Sequence, residues 1–122
     1  MIKRTHTCGE LTLDNLGQEV SLNGWISKSR DLGGLIFIDL RDRYGVTQIV
    51  FNESNNKKEF EIAKKLGLED VIGITGKIIK RPDEAINNRM ITGEIDVNVN
   101  NLCVYNESDN PEGTQGDGFY NS

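Results

Sequence analysis

One aromatic residue, Phe37, occupies a position from which its side chain can bind rather than pack. The stretch Leu35 to Arg41 alternates in character, with Ile36 and Ile38 in one phase and Phe37 and Asp39 in the other. An aromatic ring on the outer face of a strand can stack on an unpaired nucleotide base, a contact worth about 1–3 kcal/mol. The alternative is that the ring packs under a loop or plugs the end of a barrel. The alternation alone is compatible with both.

Polar and basic residues elsewhere in the chain could contact the same ligand. Arg30 ends the preceding strand, and a guanidinium suits bidentate bonds to phosphates or base edges. Gln48 lies in the polar phase of the next strand, so its amide could pair with a base edge. Arg81 ends a later strand, the following loop carries Asn87, and the carboxylate of Glu94 could accept from N1–H and N2–H of guanine. Taken singly, each of these residue types is more typical of a solvated surface than of a binding site.

The sequence offers no evident catalytic or metal-binding set. It has no Gly-x-x-x-x-Gly-Lys phosphate loop and a single histidine. The two cysteines, Cys8 and Cys103, are too far apart for a zinc knuckle and are expected to be reduced thiols. Asp39 and Asp42 form an acidic pair, but neighbouring arginines favour solvated ion pairs over acid–base roles. We therefore expect no catalytic residue, no metal and no cofactor in this chain.

The composition fits one soluble globular domain. The chain has 122 residues, of which 36% are hydrophobic and 27% charged. No apolar run approaches the ~20 residues of a membrane span, and the N-terminus lacks a signal-peptide core, so we expect a cytoplasmic location and no membrane partner. The net charge of −5 argues against a general nucleic-acid binder. Residues 106–122 hold four acids and no Lys or Arg, however, so the remainder is nearly neutral.

The apolar pattern predicts the order β-β-β-α-β-β. Phe60, Ala63 and Leu66 recur at helical spacing between the third and fourth strands. Gly24 inside the first strand indicates a bend or a close backbone approach, and the apolar phase of the fifth strand slips at Asn100-Asn101, which indicates a bulge. The strands are predicted from Glu19, at Leu35 to Arg41, at Val46 to Phe51, at Val71 to Arg81 and at Glu94 to about Tyr105, with the helix at Lys57 to Leu66.

This order is that of an all-β OB-fold, a five-stranded Greek-key barrel with one helix between strands 3 and 4. OB-folds commonly bind oligonucleotides, although fold alone does not decide function. We expect residues 1–105 to form the OB domain. Residues 106–122 are expected to be a disordered tail or the remnant of a truncated chain.

Several motifs resemble the N-terminal anticodon-binding domain of aspartyl-tRNA synthetases of the bacterial type. They are Gly24-Trp25, the block Arg30-Asp-Leu-Gly-Gly-Leu-Ile-Phe-Ile-Asp-Leu-Arg-Asp-Arg43, Gln48, and Thr92-Gly93-Glu94-Ile95. The resemblance runs from about Cys8 to Tyr105. Gly-Trp is shared with the related asparaginyl and lysyl enzymes, whereas the long block is more specific to the aspartyl branch.

The resemblance implies that the barrel recognises the anticodon bases of tRNA. It implies that Phe37 stacks on the central uridine and that Gln48 hydrogen-bonds to it. Arg30 is similar to an arginine that contacts the anticodon nucleotides, and Glu94 to the glutamate that reads the first base, a guanine or its modified form. These roles are expectations from the resemblance.

The rest of the expected site is less complete. Arg81 resembles a basic position near the RNA backbone and Asn87 a loop asparagine, but Ala85 stands where related sequences often have a further polar residue.

ATP and Mg²⁺ belong to a separate class II catalytic domain, so this chain alone should not activate aspartate. The full-length parent is expected to be a homodimer and the isolated domain a monomer. Two alternatives remain: a free-standing OB module for single-stranded nucleic acid, and a protein–protein adaptor.

Overall fold

The computed structural model describes residues 2–106, in which five strands close into one barrel. The spatial order of the strands is β1-β2-β3-β5-β4, and all neighbours are antiparallel except β3 and β5, which are parallel. This arrangement confirms the predicted OB barrel. The elements are β1 (Glu19–Asp31), β2 (Leu35–Asp42), β3 (Gly45–Asn52), α1 (Lys57–Ala63), β4 (Val71–Lys80) and β5 (Ile95–Asn106), with short 3-10 turns at Leu13–Asn15 and Asp83–Ala85.

The core follows the predicted alternation. Val20, Leu22 and Ile26 of β1 are buried, whereas Trp25, in the opposite phase, is 38% exposed. Gly24 also lies in the buried phase, and the backbone of β2 approaches it closely. A Cβ at this position would overlap the carbonyl oxygen of Arg41. The predicted close approach at this glycine is therefore confirmed.

The phase slip in β5 is a bulge. Thr75 of β4 pairs with Asn101 and Gly76 pairs with Val99, so Asn100 has no partner across the ladder. The inserted residue returns the apolar side chains that follow it to the core side, and Leu102 packs against the core. The bulge lies where the sequence pattern predicted it.

The helix is shorter than predicted. It ends at Ala63 rather than Leu66, because the chain tightens into i→i+3 bonds from Lys65 N to Ile62 O and from Leu66 N to Ala63 O. Phe60 is buried against the barrel. No helix within residues 2–106 is long and apolar enough to cross a membrane. The predicted tail, residues 106–122, lies outside the described residues apart from Asn106.

Candidate nucleic-acid interface

A groove of about 560 Å³ crosses the outer face of the barrel. Its floor comes from β1, β2, β3 and β5, and one wall comes from the loop between β4 and β5, residues 81–94. Both polar and apolar side chains line it. Five of the six residues predicted for the site line this groove: Arg30, Phe37, Gln48, Arg81 and Asn87.

A bulge in β1 turns two cationic side chains onto this face. Ile26 pairs with Leu40 and Lys28 pairs with Asp39, which leaves Ser27 without a partner in the ladder. Before Ser27 the even-numbered residues of β1 point into the core; the inserted residue reverses that phase. Lys28, and Arg30 two residues later, therefore line the groove.

Phe37 and Arg30 form a stacked pair in the groove. They are direct partners across β1 and β2, and the Arg30 Cζ atom lies 5.5 Å from the centre of the Phe37 ring. At this distance a guanidinium is attracted to the electron-rich face of an aromatic ring. Phe37 is only half-buried and lines the groove, so the ring is accessible rather than enclosed in the core.

One step along the strands, polar side chains form a row across four of them. Lys28 of β1 pairs with Asp39 of β2, and Asp39 pairs with Gln48 of β3. The Gln48 Nε2 atom donates to Asp96 Oδ1 of β5 over 2.9 Å. The groove thus presents a stacking surface next to a row of hydrogen-bonding groups, which matches the two chemical features of an unpaired base.

Arg81 lies beneath the loop and bonds to the protein itself. Its side chain is 4% exposed, and its Nε atom lies 2.9 Å from Asp96 Oδ1 in an ion pair whose carboxylate is 7% exposed. Nε also donates to the Ile95 carbonyl, and Nη1 donates to the Ala85 carbonyl, each over 3.1 Å. Burial raises the pKa of Asp96, and the neighbouring Arg81 and Gln48 oppose this rise.

The loop that forms the wall has a defined shape because Gly93 permits a close contact. Asn87 N donates to the Gly93 carbonyl, and Gly93 N donates to the Met90 carbonyl. A Cβ on Gly93 would overlap the Asn87 carbonyl oxygen, so a larger residue would force the loop to move. Asn87 Oδ1 accepts from Arg89 N, and the Asn87 side chain lines the groove.

Glu94 lies apart from the other five predicted residues. Its side chain is exposed and is not among the groove-lining residues, although its carbonyl accepts from Arg81 N over 3.0 Å. Its predicted contact with the first base would have to be made at the edge of the groove. Among the described residues, no group of three or more His, Cys, Asp or Glu side chains could hold a metal ion.

The model of one protein family, the tRNA anticodon type of OB-fold nucleic acid binding domain, matches residues 20–105. The chain belongs to this family. The match includes all six predicted site residues and all five strands, apart from the first residue of β1 and the last of β5. It confirms the fold and the resemblance drawn from the sequence.

Curated relatives of this OB-fold domain are aspartate–tRNA(Asp/Asn) ligases. That of Desulfatibacillum aliphaticivorans is 48% identical over 110 residues, which are 90% of this chain and 18% of that protein. That of Pelagibacter ubique (strain HTCC1062) is 53% identical over 101 residues, 83% of this chain and 17% of that protein. The chain therefore spans less than a fifth of the length of these relatives.

A solved structure supports the same placement. Asparaginyl-tRNA synthetase from Pyrococcus horikoshii, complexed with asparaginyl-adenylate, is similar with a TM-score of 0.73 and 31% identity. The similarity covers 91% of this chain and 24% of that one. The OB-fold domain thus corresponds to one part of a longer synthetase in both comparisons.

The sequence analysis missed Asp96 as a groove residue. It was visible only as one of several polar residues that alternate with Ile95, Val97 and Val99. What distinguishes Asp96 is its place beside Gln48, which depends on the parallel pairing of β3 with β5. No local signal in the sequence predicts which strands pair in parallel.

Proposed function

We propose that this OB-fold domain recognises the aspartate anticodon of tRNA, as the N-terminal part of an aspartate–tRNA ligase. The observation that carries the proposal is the accessible Arg30–Phe37 stack next to the Gln48 amide, within one groove of a domain of the anticodon-binding family. Stacking platforms beside polar groups are how OB-folds hold splayed bases. The domain acts by positioning, because capture of the anticodon orients the tRNA towards a catalytic domain elsewhere.

In this proposal the central uridine stacks on Phe37 and bonds to Gln48. Arg30 remains on the ring or moves to a neighbouring phosphate, since either contact suits a guanidinium. The bases of a stem-loop are unpaired only in the loop, so the groove selects the loop over the stem. Binding then depends on the ring, on the amide and on the cations of the groove.

The other predicted contacts take more limited roles. Arg81 forms an ion pair with Asp96 and bonds to carbonyls of its own loop, so its role is to stabilise the shape of the groove. It could reach the RNA backbone only if that loop moved. Asn87 offers its side-chain amide at the groove wall. Glu94 would read the first base where the anticodon leaves the groove.

Aspartate activation belongs to the part of the ligase that this chain does not cover. ATP and Mg²⁺ are used there, and the OB-fold domain is not expected to need them. The names of the relatives suit a domain that accepts both the aspartate and the asparagine anticodon, which differ at one base. A cytoplasmic location, a homodimeric parent and a monomeric isolated domain complete the proposal.

The test is a binding series by fluorescence anisotropy with the 122-residue chain. An aspartate anticodon stem-loop should bind more tightly than stem-loops in which the first or the central base is changed. Equal binding of all stem-loops and of oligo-dT would instead indicate a general single-strand binder. A chain that is folded but binds no nucleic acid would favour a protein–protein adaptor.

A further inference from the structure

We propose that Asp96 is a positioning residue that determines base specificity, because it fixes which end of the Gln48 amide faces the groove. The inference rests on the proposed function, in which Gln48 contacts the central base. It adds a selection mechanism: a fixed amide accepts uracil and rejects cytosine. Asp96 need not touch the RNA to do this.

The orientation of the amide follows from the acceptor that it meets. Gln48 Nε2 lies 2.9 Å from Asp96 Oδ1, and an ionised carboxylate can only accept hydrogen bonds. The NH₂ end of the amide must therefore point at Asp96, which leaves Oε1 as the end that meets a ligand. Among the described residues, none donates to Gln48 Oε1.

Arg81 makes this orientation firm. Its Nε atom lies 2.9 Å from the same Asp96 oxygen in an ion pair, and its Nη1 atom donates to the Ala85 carbonyl. Asp96 is therefore held by the ion pair as well as by Gln48, and turning it away would leave the buried guanidinium without its counter-ion. The contacting side chains of Arg81, Asp96 and Gln48 thus connect the wall of the groove to its floor.

Uracil and cytosine have nearly the same shape but opposite hydrogen-bonding edges. Uracil offers the N3–H donor beside a carbonyl acceptor, whereas cytosine offers the N3 acceptor beside an amino donor. Gln48 oriented by Asp96 presents the Oε1 acceptor beside its second Nε2–H donor, which complements uracil. Cytosine would need the amide rotated by 180°, and that rotation would place Oε1 against the Asp96 carboxylate.

Asp39 provides a matched control in the same groove. It lies beside Gln48 across β2 and β3, and it lines the groove as Asp96 does. No hydrogen bond joins its carboxylate to Gln48 in the described part of the chain. Neutralising Asp39 therefore changes the charge of the groove by the same amount as neutralising Asp96 but does not free the amide.

The experiment measures, for each variant, the ratio of affinities for two anticodon stem-loops that differ only in a central U or C. Wild type should prefer U by about tenfold or more, the scale of one bidentate base contact. Asp96→Ser replaces a pure acceptor by a hydroxyl that can also donate, so the amide can turn and the ratio should fall to within about threefold. Asp96→Asn keeps an oxygen that Arg81 orients, and Asp39→Asn keeps Asp96; both should retain the ratio.

The outcomes separate the inference from the proposed function. A folded Asp96→Ser variant with the wild-type ratio would overturn the inference, as would an equal loss in Asp96→Asn or Asp39→Asn, since the charge rather than the orientation would then decide. A wild-type chain that does not prefer U over C would instead refute the proposed function. Circular dichroism melts establish whether each variant is folded.

A measurement on the wild-type chain tests the same point without substitution. In amide NMR spectra one Gln48 Nε2 proton should be shifted and protected from solvent exchange relative to exposed glutamines. Two Nε2 protons that exchange as freely as those of Gln18, whose side chain is exposed, would overturn the inference even if the serine variant does not fold.

Discussion

The groove and the helix α1 both carry cationic side chains, but Lys28 and Arg30 of the groove differ from Lys57 and Lys64 beside the helix in their ion pairs. On the helix side, Lys57 lies 3.1 Å from Glu53 and 3.6 Å from Glu61, and Lys64 lies 3.9 Å from Glu61. In the groove, Lys28 and Arg30 make no ion pair with any described residue. Overall charge therefore says little about binding here, because acidic residues pair with Lys57 and Lys64 but not with Lys28 and Arg30 in the described part of the chain.

The two regions also differ in the kind of ion pair that they contain. The pairs of the helix are exposed and exchange readily with water, so they contribute little to stability. The Arg81–Asp96 pair is almost fully buried and also bonds to Gln48 and to the loop. We infer that the groove depends on its ion pair for shape, whereas the helix does not.

The largest effect is expected when this buried pair is broken from one side. Arg81→Leu would leave the Asp96 carboxylate buried without its cation, and should lower the free energy of unfolding by about 3–5 kcal/mol. Urea unfolding followed by circular dichroism measures the change. Lys57→Met, which removes a cation of the exposed pairs, should leave the unfolding midpoint nearly unchanged. Similar losses in the two variants would abolish the distinction between the regions.

A second prediction concerns the stacking surface itself. Phe37→Leu should weaken binding of the aspartate anticodon stem-loop by about 1–3 kcal/mol, because a base loses its aromatic partner while the side chain remains apolar. Tyr44→Leu is the matched control, since Tyr44 is 54% exposed on the β2–β3 hairpin and is not among the residues that line the groove. If both variants bind as wild type does, Phe37 is not part of the site.

The face of Phe37 could be predicted because it depends on neighbours in sequence. Ile36 and Ile38 fix the buried phase of β2, and a period of two then places Phe37 outside. The alternation likewise predicted the bulge at Asn100, because an inserted residue leaves a visible break in the pattern. The fold class and the outer face of β2 can therefore be predicted from the pattern of residues that are neighbours in the sequence.

The partners of Gln48 and Arg81 could not be predicted in this way. Asp96 and Asn98 alternate with valines in the same manner, yet Gln48 bonds to Asp96, because the parallel pairing of Ile49 with Val97 places Gln48 beside Asp96. The burial of Arg81 arises when the loop folds over it. Such contacts join distant parts of the chain, and their energy depends on the closed barrel.

The third prediction uses salt dependence to compare the cations of the two regions. If Lys28 contacts a phosphate, Lys28→Met should reduce the slope of log affinity against log salt by about 0.7, the value for one single-strand phosphate contact. Lys64→Met removes the same charge from the helix and should leave the slope unchanged. Equal reductions would mean that long-range charge, and not the groove, attracts the RNA.

The smallest effect is expected at Glu94, because its carboxylate is exposed and competes with water for any contact. Glu94→Gln should reduce the preference for guanine at the first anticodon base by up to about 1 kcal/mol, since an amide presents one acceptor and one donor to the two N–H groups of guanine. Binding to stem-loops with G or A at that base measures the change, with Glu84→Gln as a control on the same loop. Full discrimination by Glu94→Gln would count against the assignment of Glu94 to the first base and would mean that another group of the domain reads that base.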